Sequence, residues 1–316
     1  MQNQLAVTSS PHLRDHSSTR GIMGDVCLAL MPAGIAAAYF FGLPAVLLML
    51  ISVATAVVSE WGFQKLSHKP STIGDLSAVV TGLLVAYNLP ANAPWWIAVI
   101  GSFIAIVLVK QMFGGIGNNF VNPAVAARII LFLSWGTIMA TYPHAGSMFA
   151  ADATSGATPL AMLNDGNLPS GTGLWDLFIG NVGGVLGETS KLAILLGCAY
   201  MMYRKVISWH IPVSFILTAF VAFLIRNGAE IALYEVLSGG LLLGAVFMAT
   251  DYSTSPVTAP GKIIMGVGCG LVLFVIRAYG QYPEGCSFAI LFMNVCTPLI
   301  DRLCAYRPFG EVKKHA

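Results

Sequence analysis

The sequence predicts an all-α polytopic membrane protein of about ten transmembrane helices, arranged as two inverted five-helix repeats. Three observations lead there. Of the 316 residues, 56% are hydrophobic and 9% are charged, whereas a soluble domain carries about 25% charged residues. So few charges cannot cover a water-facing surface, and lipid is therefore the solvent for most of the chain. Ten apolar stretches also follow one another, and most basic residues fall at alternate ends of them.

The stretches run over 22–41, 43–61, 74–89, 95–113, 121–141, 186–203, 207–226, 232–250, 262–279 and 285–304. A spanning helix needs about 20 residues, so the third stretch is marginal. Residues 174–185 (LWDLFIGNVGGV) are apolar but glycine-broken, and read as a half-helix or part of a longer sixth span. Residues 1–21 are polar and carry no cleavable signal. They form an N-terminal segment, and 305–316 form a tail.

Basic residues set the orientation. With a cytoplasmic N-terminus and ten crossings, the cytoplasmic segments and span ends hold Arg14, Arg20, Lys65, Lys69, Lys110, Arg204, Lys205, Lys262, Arg302, Arg307, Lys313 and Lys314, twelve of the sixteen Lys and Arg residues. Lys191, Arg226 and Arg277 fall near outer span ends, and Arg128 lies inside the fifth span. Both termini are then cytoplasmic.

The longest loop, 142–173, falls on the outer face between a first repeat (22–141) and a second (174–304). It holds Asp152, Asn164, Asp165 and Asn167, no Lys or Arg, and the run Asp152-Ala-Thr-Ser-Gly-Ala-Thr158. A loop this long with little secondary structure is more often functional than decorative. The two halves echo each other. GLLVAYNLPANAP at 82–94 precedes FGGIGNNFVNPA at 113–124, and GLLLGAVFMATDYSTSPVTAP at 240–260 precedes YGQYPEG at 279–285 and NVCTP at 294–298. Five spans are an odd number, so a duplicated unit must insert upside down, which is the plan of channels and transporters with sites near the repeat interface.

Several classes are disfavoured. A net charge of +2 without a basic run does not suit nucleic acid. The six cysteines form no CxxC pair and read as small hydrophobes, and the six histidines lack metal-ligand spacing, so no metal site is expected. Gly114-Gly-Ile-Gly-Asn-Asn119 lacks the Lys-Ser/Thr of a phosphate-binding loop and reads as a tight turn. Charges within the membrane need a reason. Arg128, five residues past Pro123, either neutralises an acid or bound anion or snorkels to the surface. Asp251, in MATDYSTSP at a helix break, either takes part in Na⁺ or proton coupling or caps the next turn.

Three stretches resemble the RnfD component of the Rnf complex, an ion-translocating electron-transport complex of bacteria: FGGIGNNFVNPAVAARIILF, DATSGAT, and the tail MATDYSTSPVTAPGKIIMGVGCGLVLFVIRAYGQYPEGCSFAILFMNVCTPLIDR. SSTRGIMGDVCLALMPA near the N-terminus is similar too. The NqrB component of the Na⁺-translocating NADH:quinone reductase is a cousin with a longer N-terminal extension, and fits less well. The resemblance implies a urea-transporter-like inverted repeat in the bacterial inner membrane. It implies FMN esterified to Thr158 by a separate flavin transferase that recognises Asp152, Ser155, Gly156, Ala157 and Thr158. It also implies a second, non-covalent riboflavin, for which no residue is assigned. The activity implied is that of one component of a redox-driven ion translocase, passing electrons between ferredoxin and NAD and moving Na⁺ or H⁺. The NAD and iron–sulfur sites would lie on other subunits of the complex. A urea-channel-like solute transporter and a purely structural scaffold are the competing readings, and fold alone does not separate them.

The charge pattern makes the topology testable. Reporter fusions after Lys69, after Arg204 and at the C-terminus should report cytoplasm, and fusions within 142–173 the outer side. A cytoplasmic signal from that loop would overturn both the orientation and the reading of the Ser-Gly-Ala-Thr motif.

Overall fold

The computed structural model describes residues 18–143, 155–156, 159–164, 173–280 and 284–305. Among these, helix dominates. In the first half α1 (Thr19–Phe41) and α2 (Leu43–Leu66) form a hairpin about Gly42. They are followed by α3 (Ser77–Tyr87), α4 (Trp95–Phe103, continued by π-helical Ile104–Gln111), α5 (Pro123–Ser134) and the short α6 (Gly136–Met139). Strands β1 (Tyr142–Pro143) and β2 (Ser155–Gly156), then α7 (Pro159–Asn164), belong to the long loop. The second half holds α8 (Leu174–Ile179), α9 (Lys191–Tyr203), α10 (His210–Asn227), α11 (Ala229–Leu237), α12 (Leu241–Leu243, continued by π-helical Gly244–Met248), α13 (Ala259–Tyr279) and α14 (Cys286–Leu303).

Every apolar stretch is helical, but not every one is a full span. Among the described residues five helices, α1, α2, α10, α13 and α14, are long and apolar enough to cross a membrane. A sixth crossing needs α11 and α12 together, and these meet at a 64° bend. With the shorter apolar helices α3, α4 with its continuation, α5 and α9, these account for the ten predicted stretches, four of them as part-length helices. At 1.5 Å per residue the eleven residues of α3 rise about 16 Å, about half of a ~30 Å hydrocarbon core. The fifth stretch breaks after Ser134, and the helix of the sixth begins only at Lys191.

Non-helical backbone is tolerated at membrane depth only where protein buries and satisfies it. Here two non-helical segments serve each other. Gly187 N–H donates to the Tyr87 carbonyl (2.9 Å), Leu186 N–H to the Leu89 carbonyl (3.0 Å), and Pro90 and Val185 form an antiparallel bridge. Asn88, Leu89, Pro90, Ala91 and residues 185–190 are buried. A Cβ on Gly187 would collide with the Tyr87 ring, so this approach requires glycine.

The halves are built alike and run oppositely. Helices α1, α3 and α5 start, and α4 ends, beside one large cavity, while α9 and α12 end there. Matching helices also meet, α1 against α9 and α5 against α14. Leu28, Ile35, Leu50, Val58, Leu217 and Val275 are exposed side chains of long helices, as lipid-facing positions must be. The turn between α4 and α5 has Gly114, Gly115 and Gly117 at φ of 117°, 94° and 86°, so the glycine-rich run is the tight turn that the sequence suggested. Asn122 then opens α5 by accepting from Ala124 N–H (3.0 Å) and Val125 N–H (3.3 Å), with Pro123 in the first turn. Cys198, Cys269 and Cys286 are buried in the core and Cys27, Cys296 and Cys304 pack at its margin.

The α1–α9 contact depends on Gly197, where an added Cβ would strike the Ala29 carbonyl of the facing backbone. Gly197→Ala should therefore destabilise the protein by about 1–3 kcal/mol, the usual range for overpacking. Gly62→Ala, with nothing within 4 Å of the added carbon, should be neutral or stabilising. Thermal unfolding in detergent compares the two, and equal midpoints would contradict this packing.

Candidate functional site: a polar axis between the halves

Four ion pairs occur among the described residues, and three are buried. The richest cluster lies at the end of the molecule that bears the long loop. Arg128, on the first turns of α5, is 8% exposed. Its Nη1 donates to Asn88 Oδ1 (2.7 Å), and its Nη2 pairs with the Glu284 carboxylate just ahead of α14. Arg128 is thus paired with an acid inside the protein and does not reach the surface. Glu284 in turn meets the carboxyl of Glu188, which precedes α9.

Local chain breaks explain why cations collect here. Helix α11 stops at Leu237, leaving carbonyls at its C-terminus that carry partial negative charge. Arg277 fills that end: Nη1 donates to the Glu235 carbonyl (2.6 Å) and pairs with its Oε2 (3.2 Å), and Nη2 reaches the Ser238 carbonyl (3.3 Å). Lys191 Nζ donates to the backbone carbonyl of Glu188 and to that of Gly239 (3.3 Å). Gly239 has φ of 67°, which lets the chain turn between α11 and α12. The break in the eighth stretch is thus capped by two buried cations.

A chain of amides leads inward from the cluster. Asn88 Nδ2 donates to the Leu84 carbonyl (2.6 Å) and contacts Met248 Sδ (3.9 Å). Asn122 Nδ2 donates to the Met248 carbonyl (3.1 Å). Asn294 is satisfied when Oδ1 accepts from Asn122 N–H (3.1 Å) and Nδ2 donates to the Thr254 carbonyl (3.3 Å). Thr297 Oγ1 donates to that carbonyl too (2.9 Å). These partners come from both halves, so the hydrogen bonds run along the repeat interface.

At the opposite end lies the larger cavity, about 240 Å³, walled mostly by apolar side chains of both halves with Lys110, Asn119, Asn122 and Asp251 among its polar groups. Asp251 Oδ2 accepts from Ser253 Oγ (2.9 Å) and Thr254 Oγ1 (3.1 Å), so it both caps the turn after α12 and borders the cavity. It stands apart from the Arg128 cluster. Lys110, which the charge pattern groups with the basic residues of one face, is instead 2% exposed, in a 2.8 Å pair with Glu60 and a 2.6 Å bond to Ser77 Oγ. Its place is set by pairing with α2 and α3, and it carries no weight as an interfacial charge. Lys191 and Arg277 are likewise partnered inside the protein.

Of the motif in the long loop, Asp152, Ala157 and Thr158 lie outside the described residues. The backbone of Ser155 and Gly156 pairs antiparallel with Pro143 and Tyr142. Just past the motif, Leu160 is buried against Gly239. Sequence reasoning did not single out Glu188, Glu284, Lys191, Glu235, Arg277 or the Glu60–Lys110 pair. A signal existed, since Glu60, Glu188 and Glu235 each interrupt an apolar stretch, and an acid there needs a cation on another helix.

The model of the NQR2, RnfD, RnfE family matches residues 6–310. The chain belongs to that family. One component of the Na⁺-translocating ferredoxin:NAD⁺ oxidoreductase complex from Acetobacterium woodii is 50% identical over 316 residues, covering 99% of this chain and 98% of the relative. The corresponding component of the proton-translocating ferredoxin:NAD⁺ oxidoreductase complex from Clostridium ljungdahlii is 38% identical, covering 98% and 97%. That of the ion-translocating oxidoreductase complex from Stutzerimonas stutzeri is 39% identical, covering 93% of each. For this member of the NQR2, RnfD, RnfE family the helical, multi-pass fold read from composition stands.

Removing one partner of a buried pair strands the other charge, which costs about 3–5 kcal/mol. Arg128→Met should lower stability by that order, and adding Glu284→Gln should recover a large part of the loss because the two sites couple. Thermal unfolding of the three variants checks this, and strictly additive losses would contradict the pairing.

Proposed function

We propose that this chain is the membrane subunit of an ion-translocating ferredoxin:NAD⁺ oxidoreductase complex, that it carries FMN as a phosphoester on Thr158, and that electron passage is coupled to Na⁺ or H⁺ movement. The observation that carries the reading is near-complete alignment at 50% identity with one component of such a complex, joined to the unbroken Asp152, Ser155, Gly156, Ala157, Thr158 pattern. The other subunits of the complex, a flavin transferase and the lipid of the inner membrane are its partners. Both termini are assigned to the cytoplasm and the long loop to the outer face.

The residues present suit a tethered flavin. A phosphoester needs a hydroxyl, which Thr158 supplies, and no deep nucleotide pocket. The described flanks of the motif are both anchored, by the Tyr142–Gly156 pairing on one side and by buried Leu160 on the other. A flavin accepts electrons singly or in pairs, and the protein's part is to position it and shape its electrostatics. Tyr142, paired with the motif strand, is buried beside the Arg128, Glu188 and Glu284 cluster. That proximity gives the cluster a route to respond to charge on the loop. The non-covalent riboflavin suits the larger cavity by lining, apolar walls with a few polar groups.

Thr158→Val keeps the side-chain shape without the hydroxyl, and should abolish the in-gel flavin fluorescence of the denatured chain. Thr158→Ser should retain part of it, since the nucleophile survives. Mass spectrometry of the loop peptide separates Thr158 from Thr154 and Ser155. An unmodified peptide from cells with a competent flavin transferase would overturn the assignment.

A further inference from the structure

The carboxyl of Glu188 is 3% exposed, yet no N–H or hydroxyl donor reaches its Oε2, and its side-chain neighbour is a second carboxyl, Glu284. The hydroxyl of Ser238, 2% exposed, has no hydrogen-bond partner. Both groups line one small cavity, together with Thr189, Lys191, Glu284 and the backbone at Gly183 and Gly184. Glu188 Oε1 accepts a 3.4 Å bond from Val185 N–H, which fixes the carboxyl at the wall of the cavity. Glycine is required beside it, since a Cβ on Gly240 would stand 2.7 Å from Glu188 Oε2 and 3.1 Å from Arg128 Nη1.

A buried oxygen without a partner is costly, and a native protein that keeps one has a reason. The charges sharpen the point. Arg128 is committed to Glu284 and Asn88, Arg277 to Glu235 and Ser238, and Lys191 to two backbone carbonyls. Two carboxyl groups in contact, Glu188 and Glu284, also repel unless a positive charge lies between them. Tyr142 and Glu235 add no cation. The groups without a donor or cation of their own are therefore Glu188 Oε2 and the Ser238 hydroxyl, beside the Arg128-paired Glu284 and glycine backbone, hard oxygen ligands on non-helical backbone near a helix break. That is the chemistry of a site for Na⁺ or a proton.

We propose that this cavity is an exchangeable small-cation site in which the Glu188 carboxyl, with Glu284 and the Ser238 hydroxyl, holds Na⁺ or a proton. Arg128 and Lys191 nearby keep the occupant weakly held, and release is as necessary as binding for an ion in transit. The site deepens the reading of an ion-translocating subunit and, as a step of translocation, rests on it.

Dicyclohexylcarbodiimide attacks protonated carboxyls, so labelling of the purified, reconstituted complex followed by peptide mass spectrometry reads the site. Glu188 should be labelled at acidic pH in choline chloride. Suppression by NaCl at constant pH identifies Na⁺ as the occupant, and suppression only by raised pH identifies the proton. Labelling indifferent to both, or no adduct on Glu188 under any of these conditions, overturns the proposal. Glu188→Gln should lower the ions moved per electron several-fold, and an unchanged ratio overturns it. Should that variant fail to assemble, Glu188→Asp should shift the Na⁺ concentration or pH of half-labelling, and an unshifted midpoint counts against the site. A parent complex that moves no ion would refute the translocation reading alone, and the labelling would still decide whether the cavity binds a cation.

Discussion

Backbone satisfaction in lipid is the constraint on which the rest of this structure depends. A helix that stops inside the membrane leaves carbonyls and N–H groups that hydrocarbon cannot serve. Here α3 stops at Tyr87, α11 at Leu237, and the chain enters α9 through a non-helical segment. The Tyr87–Leu89 and Leu186–Gly187 backbones bond each other, and the carbonyls at Glu235, Ser238 and Gly239 are served by Arg277 and Lys191. Once those cations are buried, acids must join them. The ionic cluster is thus a consequence of broken helices, and its position is fixed by where they break.

The two ends of the molecule then differ in character. One holds a mostly apolar cavity bordered by Asp251, with the Glu60–Lys110 pair behind it. The other holds the Arg128, Glu188, Glu284 and Lys191 cluster beneath the loop segment that carries the motif. Asn88, Asn122 and Asn294 lie between them on the interface of the halves. Amides suit this position because each offers a donor and an acceptor without a net charge to desolvate. Opposed repeats bring such groups together from both halves, which neither half could do alone.

Much of this was legible in the sequence. The scarcity of charge dictates a lipid environment whatever the fold, and the apolar stretches mark every long helix because burial in lipid selects for little else. The echo of Gly82–Asn88 in Gly240–Asp251 marks the two half-length helices α3 and α12, since a helix that ends inside protein needs a polar residue at its stop. The motif around Thr158 and the Gly114–Asn119 turn are local, and local chemistry can be read from adjacent residues.

What the sequence could not decide is which stretches cross and which charges meet. An apolar run reads the same whether its helix spans the membrane or breaks halfway, because the break is stabilised by a partner segment about a hundred residues away, as Tyr87 is by Gly187. Lys110 and Lys191 look like interfacial charges in one dimension, and become core groups only when Glu60 and the carbonyls of Glu188 and Gly239 are brought to them. Composition and local pattern determined the membrane and the helices. Tertiary structure alone decided the polar axis, because its energy comes from pairs whose members lie on different helices and often in different halves.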